Sequence, residues 1–196
     1  VVGVVAWGVA VAAALGAPGD LDTMFGTGGT VTTAIDSGND IGYGVTVDSE
    51  GRVVVAGYSD NGSDYDFAVV RYTSAGVLDT SFGTGGTVTT AIGIGHDVGQ
   101  AVAVDSDDRV IVAGYSWNGS DNDFAVVRYT SSGVLDTSFG TGGKVTTAIG
   151  TGTDIGRAVV VDSDDRIVVA GYSYNGGDDD FAVVRYTSSG VLDTSF

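Results

Sequence analysis

The chain has 196 residues and a formal net charge of −17, with 8 Lys and Arg against 25 Asp and Glu. This charge repels nucleic acid and anionic membranes, so neither is expected as a partner. The absence of Cys excludes disulfides, a thiol nucleophile and thiolate metal sites. With 33 Gly, 1 Pro and an apolar fraction of 43%, the composition is typical of short strands joined by glycine turns.

The N-terminal segment differs from the rest of the chain. Val1–Leu15 is apolar but short for a membrane span, and small residues surround its end at Ala14–Ala17. This pattern is typical of the hydrophobic region and cleavage zone of a secretory signal. Residues 1–17 therefore predict a secreted, periplasmic or cell-surface protein without a stable membrane span. A buried strand is the alternative for this segment.

A repeat of 57 residues without insertions follows. Three copies occupy residues 21–77, 78–134 and 135–191, and residues 192–196 open a fourth with the phrase "LDTSF". In the second copy we predict four strands, at Thr87–Ile92, Gln100–Val104, Arg109–Ser116 and Asp123–Thr130. Asp-, Asn- and Gly-rich turns separate them. Four short antiparallel strands in each repeat predict one blade of a β-propeller.

The expected architecture is thus all-β, with three four-stranded antiparallel blades forming a partial or open propeller. A stacked β-solenoid is the alternative. Closed propellers contain about 4–8 blades, so three blades leave two exposed sheet edges. We expect further blades to cover these edges, and a second chain that closes the ring as a homo-oligomer is the alternative.

Three phrases of the third copy carry a family resemblance: "GVLDTSFGTGGKVTT", "AVVVDSDDRIVVAGYS" and "DDDFAVVRYTSSG". They resemble the delta-60 repeat, a bacterial β-propeller repeat family, over all of Leu21–Phe196. The family usually has an Asp-Gly-Lys turn before the central strand, whereas the later copies here have Asp-Asp-Arg. The resemblance implies a propeller fold and little about activity, because the family's function is largely unassigned.

An acidic loop lies between the last two predicted strands of each copy. It places an Asn before two carboxylates spaced two residues apart, and such oxygens can wrap Ca²⁺. The candidate metal ligands are Asp64, Asp66, Asp121, Asp123, Asp178 and Asp180. A complete calcium loop also needs a later bidentate acid, but Phe, Ala and Val follow. A solvated hairpin turn is therefore the alternative to a Ca²⁺-stabilised repeat, and no other cofactor is expected.

The residue that precedes each acidic loop breaks the repeat, being Asp60, Trp117 and Tyr174 in turn. An exposed aromatic ring beside Asn and Asp side chains could stack on a sugar. The candidate ligand-binding residues are Trp117, Asn118, Tyr174 and Asn175. Packing of the ring across a hairpin end is the alternative.

The charged residues of the repeat are expected to be structural. Arg71, Arg128 and Arg185 recur inside the last strand and are expected to pair with the Asp of "LDTSF". His96 is the only histidine, and no nucleophile stands beside it, so a surface loop suits it better than a catalytic triad. No catalytic residue is predicted.

These observations predict a non-enzymatic binding or scaffolding module for a glycan or a protein surface. The alternative is a hydrolase or lyase with its site at the propeller channel. Such an enzyme should show non-repeated polar residues converging on one end of that channel.

Overall fold

The computed structural model describes residues 19–196, which form eleven strands in three antiparallel sheets. The predicted export segment, residues 1–17, lies outside the described residues. Within residues 19–196 the structure contains no helix that could cross a membrane. The all-β prediction is confirmed. Every ladder is antiparallel, whereas successive coils of a β-solenoid pair in parallel, so the sheets are those of a partial propeller.

The strands follow one another in chain order within each sheet. Sheet one contains β1 (Asp40–Val47), β2 (Val53–Asp60), β3 (Tyr65–Tyr72) and β4 (Thr87–Thr90). Sheet two contains β5 (Asp97–Val104), β6 (Val110–Trp117), β7 (Asn122–Tyr129) and β8 (Lys144–Thr147). Sheet three contains β9 (Asp154–Val161), β10 (Ile167–Tyr174) and β11 (Asp179–Tyr186).

The boundaries of the sheets do not coincide with the boundaries of the sequence repeats that we predicted to be blades. β4 lies in the second copy of the repeat, yet it pairs with β3 of the first, with Val70 opposite Thr87 and Phe67 opposite Thr90. β8 pairs with β7 in the same way. Sheets one and two therefore take their outer strand from the following copy, and sheet three has three strands within the described residues. A strict repeat has no intrinsic starting point, so its period indicates the size of a blade but not its boundaries.

Successive sheets stack through two different faces. Each sheet has two faces, which we call the Phe face and the Val face. In sheet one the Phe face carries Val54, Ala56, Phe67 and Val69. In sheet two the Val face carries Val102, Val112, Ala125 and Val127. These two faces form one buried cluster, and residues 57 further along form the second, between sheets two and three. The first strands β1, β5 and β9 contact one another in series and form the inner edge of the arc.

A buried arginine closes each junction between sheets. Arg128 Nε lies 2.9 Å from Asp136 Oδ2, its guanidinium stacks 4.8 Å from the Phe139 ring, and Nη1 donates to the Ser188 carbonyl of the next copy. Arg71 makes the same contacts one copy earlier. The predicted pairing with the Asp of "LDTSF" is therefore confirmed, and these arginines hold the blades together.

Candidate functional site

One end of the sheets gathers the three β-hairpin turns and the loops that enter the inner strands. We call this the hairpin end; its turns are residues 61–64, 118–121 and 175–178, and its loops are residues 36–39, 91–96 and 148–153. The loops and hairpins are joined by backbone hydrogen bonds, from Trp117 N to His96 O (3.1 Å) and from Tyr174 N to Thr153 O (2.9 Å). All predicted site residues lie in or beside the three hairpin turns.

Buried aspartates fix the loops of the hairpin end. Asp97 is fully buried at the start of β5, where Oδ2 accepts hydrogen bonds from Ile92 N (2.6 Å) and Gly93 N (3.1 Å). Asp154 accepts from Ile149 N (2.6 Å) at the same place in sheet three. Burial raises the pKa of Asp97 despite these hydrogen bonds. These buried carboxyl groups anchor the loops before β5 and β9 to the first residue of each strand and face away from solvent.

The predicted asparagines organise the hairpin turns. Asn118 Nδ2 donates to Asp121 Oδ1 (2.6 Å) and to Asp123 Oδ2 (2.9 Å), while its Oδ1 accepts from Ser120 N (2.9 Å). Asn175 Nδ2 donates to Asp180 Oδ2 (2.5 Å). Both amides are thus committed to the turns. A ligand would meet the outer surface of the turn rather than a free amide group.

In the first two hairpins an asparagine amide brings the two predicted metal ligands together, whereas in the third the amide reaches only Asp180. Asn61 Nδ2 joins Asp64 and Asp66 at 2.6 and 3.0 Å, as Asn118 joins Asp121 and Asp123. Asp178 contributes its backbone N–H to Asn175 Oδ1 (3.1 Å). The amide nitrogen lies between the two carboxylates, where a cation would have to bind. Residues 19–196 contain no group of three or more acidic or His side chains suited to a metal. Ca²⁺ binding stays a prediction.

The predicted aromatic residues lie partly in solvent. Trp117 is 36% exposed and Tyr174 is 39% exposed. Each ring rests on a loop glycine, because a Cβ added to Gly95 would lie 2.9 Å from Trp117 Cδ1, and one added to Gly152 would lie 2.8 Å from Tyr174 Cδ1. The rings are therefore supported by the loop while about a third of each side chain stays in solvent, and sugar stacking stays a prediction.

Sequence reasoning missed a β-bulge in each inner strand. The register of the first strand against the second shifts at the same place in every sheet. The extra residue is Tyr43 in β1, Gln100 in β5 and Arg157 in β9. A bulge interrupts the alternation by which a strand is recognised, which is why we predicted a strand from Gln100 although β5 begins at Asp97. The signal available in the sequence was that the three copies differ at this position.

The bulge residues form contacts that the repeat does not supply, one of them between two sheets and two within a single sheet. Arg157 Nη1 donates to Gln100 Oε1 at 2.8 Å, and the Arg157 guanidinium lies 5.6 Å from the Tyr172 ring. The Tyr43 ring lies 6.0 Å from that of Tyr58. The six other described arginines all form ion pairs, but Arg157 forms none within residues 19–196. This guanidinium keeps donors for a ligand.

A row of rings occurs at the junction between sheets one and two. Tyr58 stacks on Tyr65 (4.5 Å between centroids), and Tyr65 stacks on His96 (4.2 Å). Tyr65 N donates to His96 Nδ1 at 3.1 Å. Burial raises the pKa of Tyr58 and of Tyr115. Both phenols stay neutral near pH 7 and offer ring surface and hydrogen bonds rather than a base.

Comparison with known protein families finds one family model that matches all three repeats. A family model described as "Domain of unknown function (DUF5122) beta-propeller" matches residues 49–82, 106–139 and 163–196, more than half of the chain. Each match runs from the turn before the second strand of a sheet to the Phe of the following "LDTSF". No curated protein matches the chain. The chain therefore belongs to the DUF5122 beta-propeller family.

Proposed function

We propose that this chain is a secreted or surface-exposed, non-enzymatic binding or scaffolding module whose ligand meets the hairpin end. The proposal rests on the location of the residues that differ between the three copies of the repeat. Residues that differ between copies, including Trp117, Tyr174, His96 and Ser120, lie in the loops and hairpins of this end, on a scaffold that is otherwise largely repeated. A repeated scaffold with a varied end is what a recognition surface requires.

The ligand class we propose is a carbohydrate, with a protein surface as the alternative. Aromatic rings that are about a third exposed, beside Asp carboxylates that the turns hold in place, offer a stacking surface with hydrogen-bond acceptors at its border. The apolar segment Val1–Leu15 supports export, and the phrases quoted above support the finer assignment to delta-60 repeats.

Replacement of Trp117 is expected to weaken glycan binding. On a glycan array, Trp117→Ala should bind its best ligand about tenfold more weakly than the unchanged chain, because the stacking ring is lost. Val134→Ala is the matched control, since Val134 is 61% exposed in the connection after β7, at the opposite end of the sheets. Equal binding by the unchanged chain and by Trp117→Ala would contradict the aromatic surface.

A hydrolase or lyase at the channel is the second candidate, favoured by the contact between the non-repeated Gln100 and Arg157 near the inner edge. We rank it below binding because glycoside hydrolysis ordinarily uses two carboxyl groups, and the bulge residues Tyr43, Gln100 and Arg157 supply none. New reducing or unsaturated sugar ends, released by the chain and not by Arg157→Gln, would favour the enzyme over the binding module.

A Ca²⁺-stabilised structural repeat is the remaining proposal for the acidic loops. If Ca²⁺ binds, calorimetry should show heat and the melting temperature should rise, since an ion that binds only the folded chain stabilises it. Asn118→Asp replaces the amide donor between Asp121 and Asp123 with an oxygen ligand and should strengthen any such effect. If Ca²⁺ produced neither heat nor a change in melting temperature in the unchanged chain and in Asn118→Asp, the proposed Ca²⁺ site would be contradicted.

A further inference from the structure

The hairpin end of sheet two carries residues that the other two sheets do not have. Four positions of the repeat in or beside the loops and hairpins of this end hold a different residue in every copy. At two of them, one in the loop and one beside the hairpin turn, sheet two has Ile94 and Trp117. The corresponding pairs are Ser37 and Asp60 in sheet one and Thr151 and Tyr174 in sheet three. Within residues 19–196, only sheet two therefore combines an aliphatic with an aromatic side chain at these positions.

Ile94 and Trp117 together form one apolar surface, which we call the Ile94–Trp117 surface. A Cβ added to Gly119 in the hairpin turn would lie 3.4 Å from Ile94 Cδ1, and one added to Gly95 in the loop would lie 2.9 Å from Trp117 Cδ1. Each side chain therefore crosses to the other segment and lies on its glycine. Ile94 is nevertheless 80% exposed and Trp117 36% exposed. Exposed apolar groups that are held together in this way are typical of a binding surface.

The contact between the loop and the hairpin glycine is particular to sheet two. A Cβ added to Gly62 or Gly176, the corresponding glycines of sheets one and three, would meet no atom within 4 Å. The surface therefore comes from Ile94 and Trp117 themselves and not from the repeated fold. It lies on the middle sheet, which contacts sheets one and three through β1 and β9.

The loop that carries Ile94 is fixed to the neighbouring sheet. The backbone oxygen of His96 accepts a hydrogen bond from Trp117 N (3.1 Å), and the His96 ring stacks on Tyr65 of sheet one with 4.2 Å between centroids. Tyr65 N also donates to His96 Nδ1 at 3.1 Å. These contacts hold the loop in place before any ligand arrives, which reduces the conformational entropy lost on binding.

The charge around the surface selects the class of ligand. The three loops and three hairpin turns of the hairpin end contain no Lys or Arg, and His96 is their only basic residue. The hairpin that follows Trp117 carries Asp121 and Asp123, and Asn118 Nδ2 donates to one oxygen of each carboxylate. Each carboxylate therefore retains a second oxygen as an acceptor. Together with the net charge of −17, this environment repels uronic acids and sulfated sugars and attracts a protonated amine.

We propose that the Ile94–Trp117 surface binds a chain of hexosamine sugars with free amino groups. The C–H face of a sugar ring packs on the Trp117 indole, and Ile94 contacts the apolar edge of the ring. The Asp121 carboxylate accepts a charge-assisted hydrogen bond from the protonated amine. This inference rests on the proposed carbohydrate ligand of the hairpin end and narrows that ligand to a cationic sugar.

Three oligosaccharides of equal length test the charge of the ligand by calorimetry. They are oligomers of glucosamine, of N-acetylglucosamine and of galacturonic acid, used at mildly acidic pH where the free amines are protonated. We expect the glucosamine oligomer to bind at least about tenfold more tightly than the N-acetylated one, and the galacturonic acid oligomer not to bind. Added salt should weaken binding of the glucosamine oligomer and leave the N-acetylated one unchanged, because salt screens the charge interaction but not the stacking.

Two substitutions separate the apolar part of the surface from the charged part. Ile94→Ser introduces the residue of sheet one and should weaken both amino-sugar oligomers about fivefold, without a change in melting temperature because Ile94 is exposed. Asp121→Asn should weaken only the glucosamine oligomer and reduce its salt dependence. Asp107→Asn is the matched control, since Asp107 is exposed in the turn between β5 and β6, at the opposite end of the same sheet, and should leave binding unchanged.

The possible results distinguish this inference from the proposed function. If the N-acetylglucosamine or galacturonic acid oligomer binds as tightly as the glucosamine oligomer, the amine is not recognised; the inference is then overturned, while a carbohydrate ligand is retained. An oligolysine peptide of equal charge that binds as tightly as the glucosamine oligomer would also overturn it, because charge alone would then explain the binding. If no sugar binds, including those of the glycan array, the proposed carbohydrate ligand itself is contradicted, and this inference with it.

Discussion

Gly114→Ala is expected to destabilise the protein by about 3 kcal/mol or more, because a Cβ at this position would overlap the Val98 carbonyl oxygen. Gly114 lies in β6, the second strand of the middle sheet, opposite the bulge of β5. The clash involves backbone on both sides, so no side-chain rotation relieves it. A Cβ at Gly156 would in turn lie 2.8 Å from the Gly114 carbonyl oxygen, which shows how closely sheets two and three approach here.

The measurement is the free energy of unfolding in urea, with Gly177→Ala as the matched control. A Cβ at Gly177 would meet only Asn175 Oδ1, at an ordinary 3.6 Å, and the same position holds Ser in the other two copies. The control should therefore unfold like the unchanged chain. Equal midpoints for all three proteins would show that the inner-strand bulge is not packed as described.

Arg128→Ala is expected to cost about 3–5 kcal/mol of stability, because it leaves the Asp136 carboxylate without its partner inside a junction. The Arg128 side chain is only 2% exposed, and it also loses its contact with the Phe139 ring and the Ser188 carbonyl. Arg166→Ala is the matched control, since Arg166 also pairs with an aspartate, Asp162 (2.8 Å), but is far more exposed. Little change is expected there.

The pH dependence of Arg128→Ala provides a second readout. Burial alone would raise the pKa of Asp136, but hydrogen bonds from Ser138 and the charge of Arg128 outweigh it and hold this pKa below its usual 3.8. A lowered pKa contributes stability that is present above 3.8 and lost as the pH falls through the lowered value. The unchanged chain should lose more stability than Arg128→Ala on acidification below pH 3.8. Parallel acid curves would contradict the pairing.

The strands were predictable where they alternate or are apolar throughout. The predicted Arg109–Ser116 and Asp123–Thr130 each lie within one residue of β6 and β7. The pairing of Arg128 with Asp136 was also predictable, because a charge repeated inside a buried strand needs a repeated counter-charge. The blade boundaries were not predictable, since no residue of a strict repeat marks where one sheet ends.

The candidate site was predictable only in its outer part. Turn residues in the sequence placed Trp117 beside a hairpin. The contact of its ring with Gly95, however, depends on the loop that precedes β5, which the turn residues do not indicate. The contact between Gln100 and Arg157 depends on two bulges and on the stacking of two sheets. The stacking register leaves no pattern in the sequence, and the bulges are marked only by a position at which the three copies differ.

The central claim is that the ligand meets the hairpin end, and amide hydrogen exchange with and without the best glycan from the array tests it most directly. We predict added protection in residues 93–96, 117–122 and 174–179, where the loops and hairpin turns meet. Protection confined to the opposite-end turns at residues 105–109 and 162–166, with no change at the hairpin end, would contradict the account.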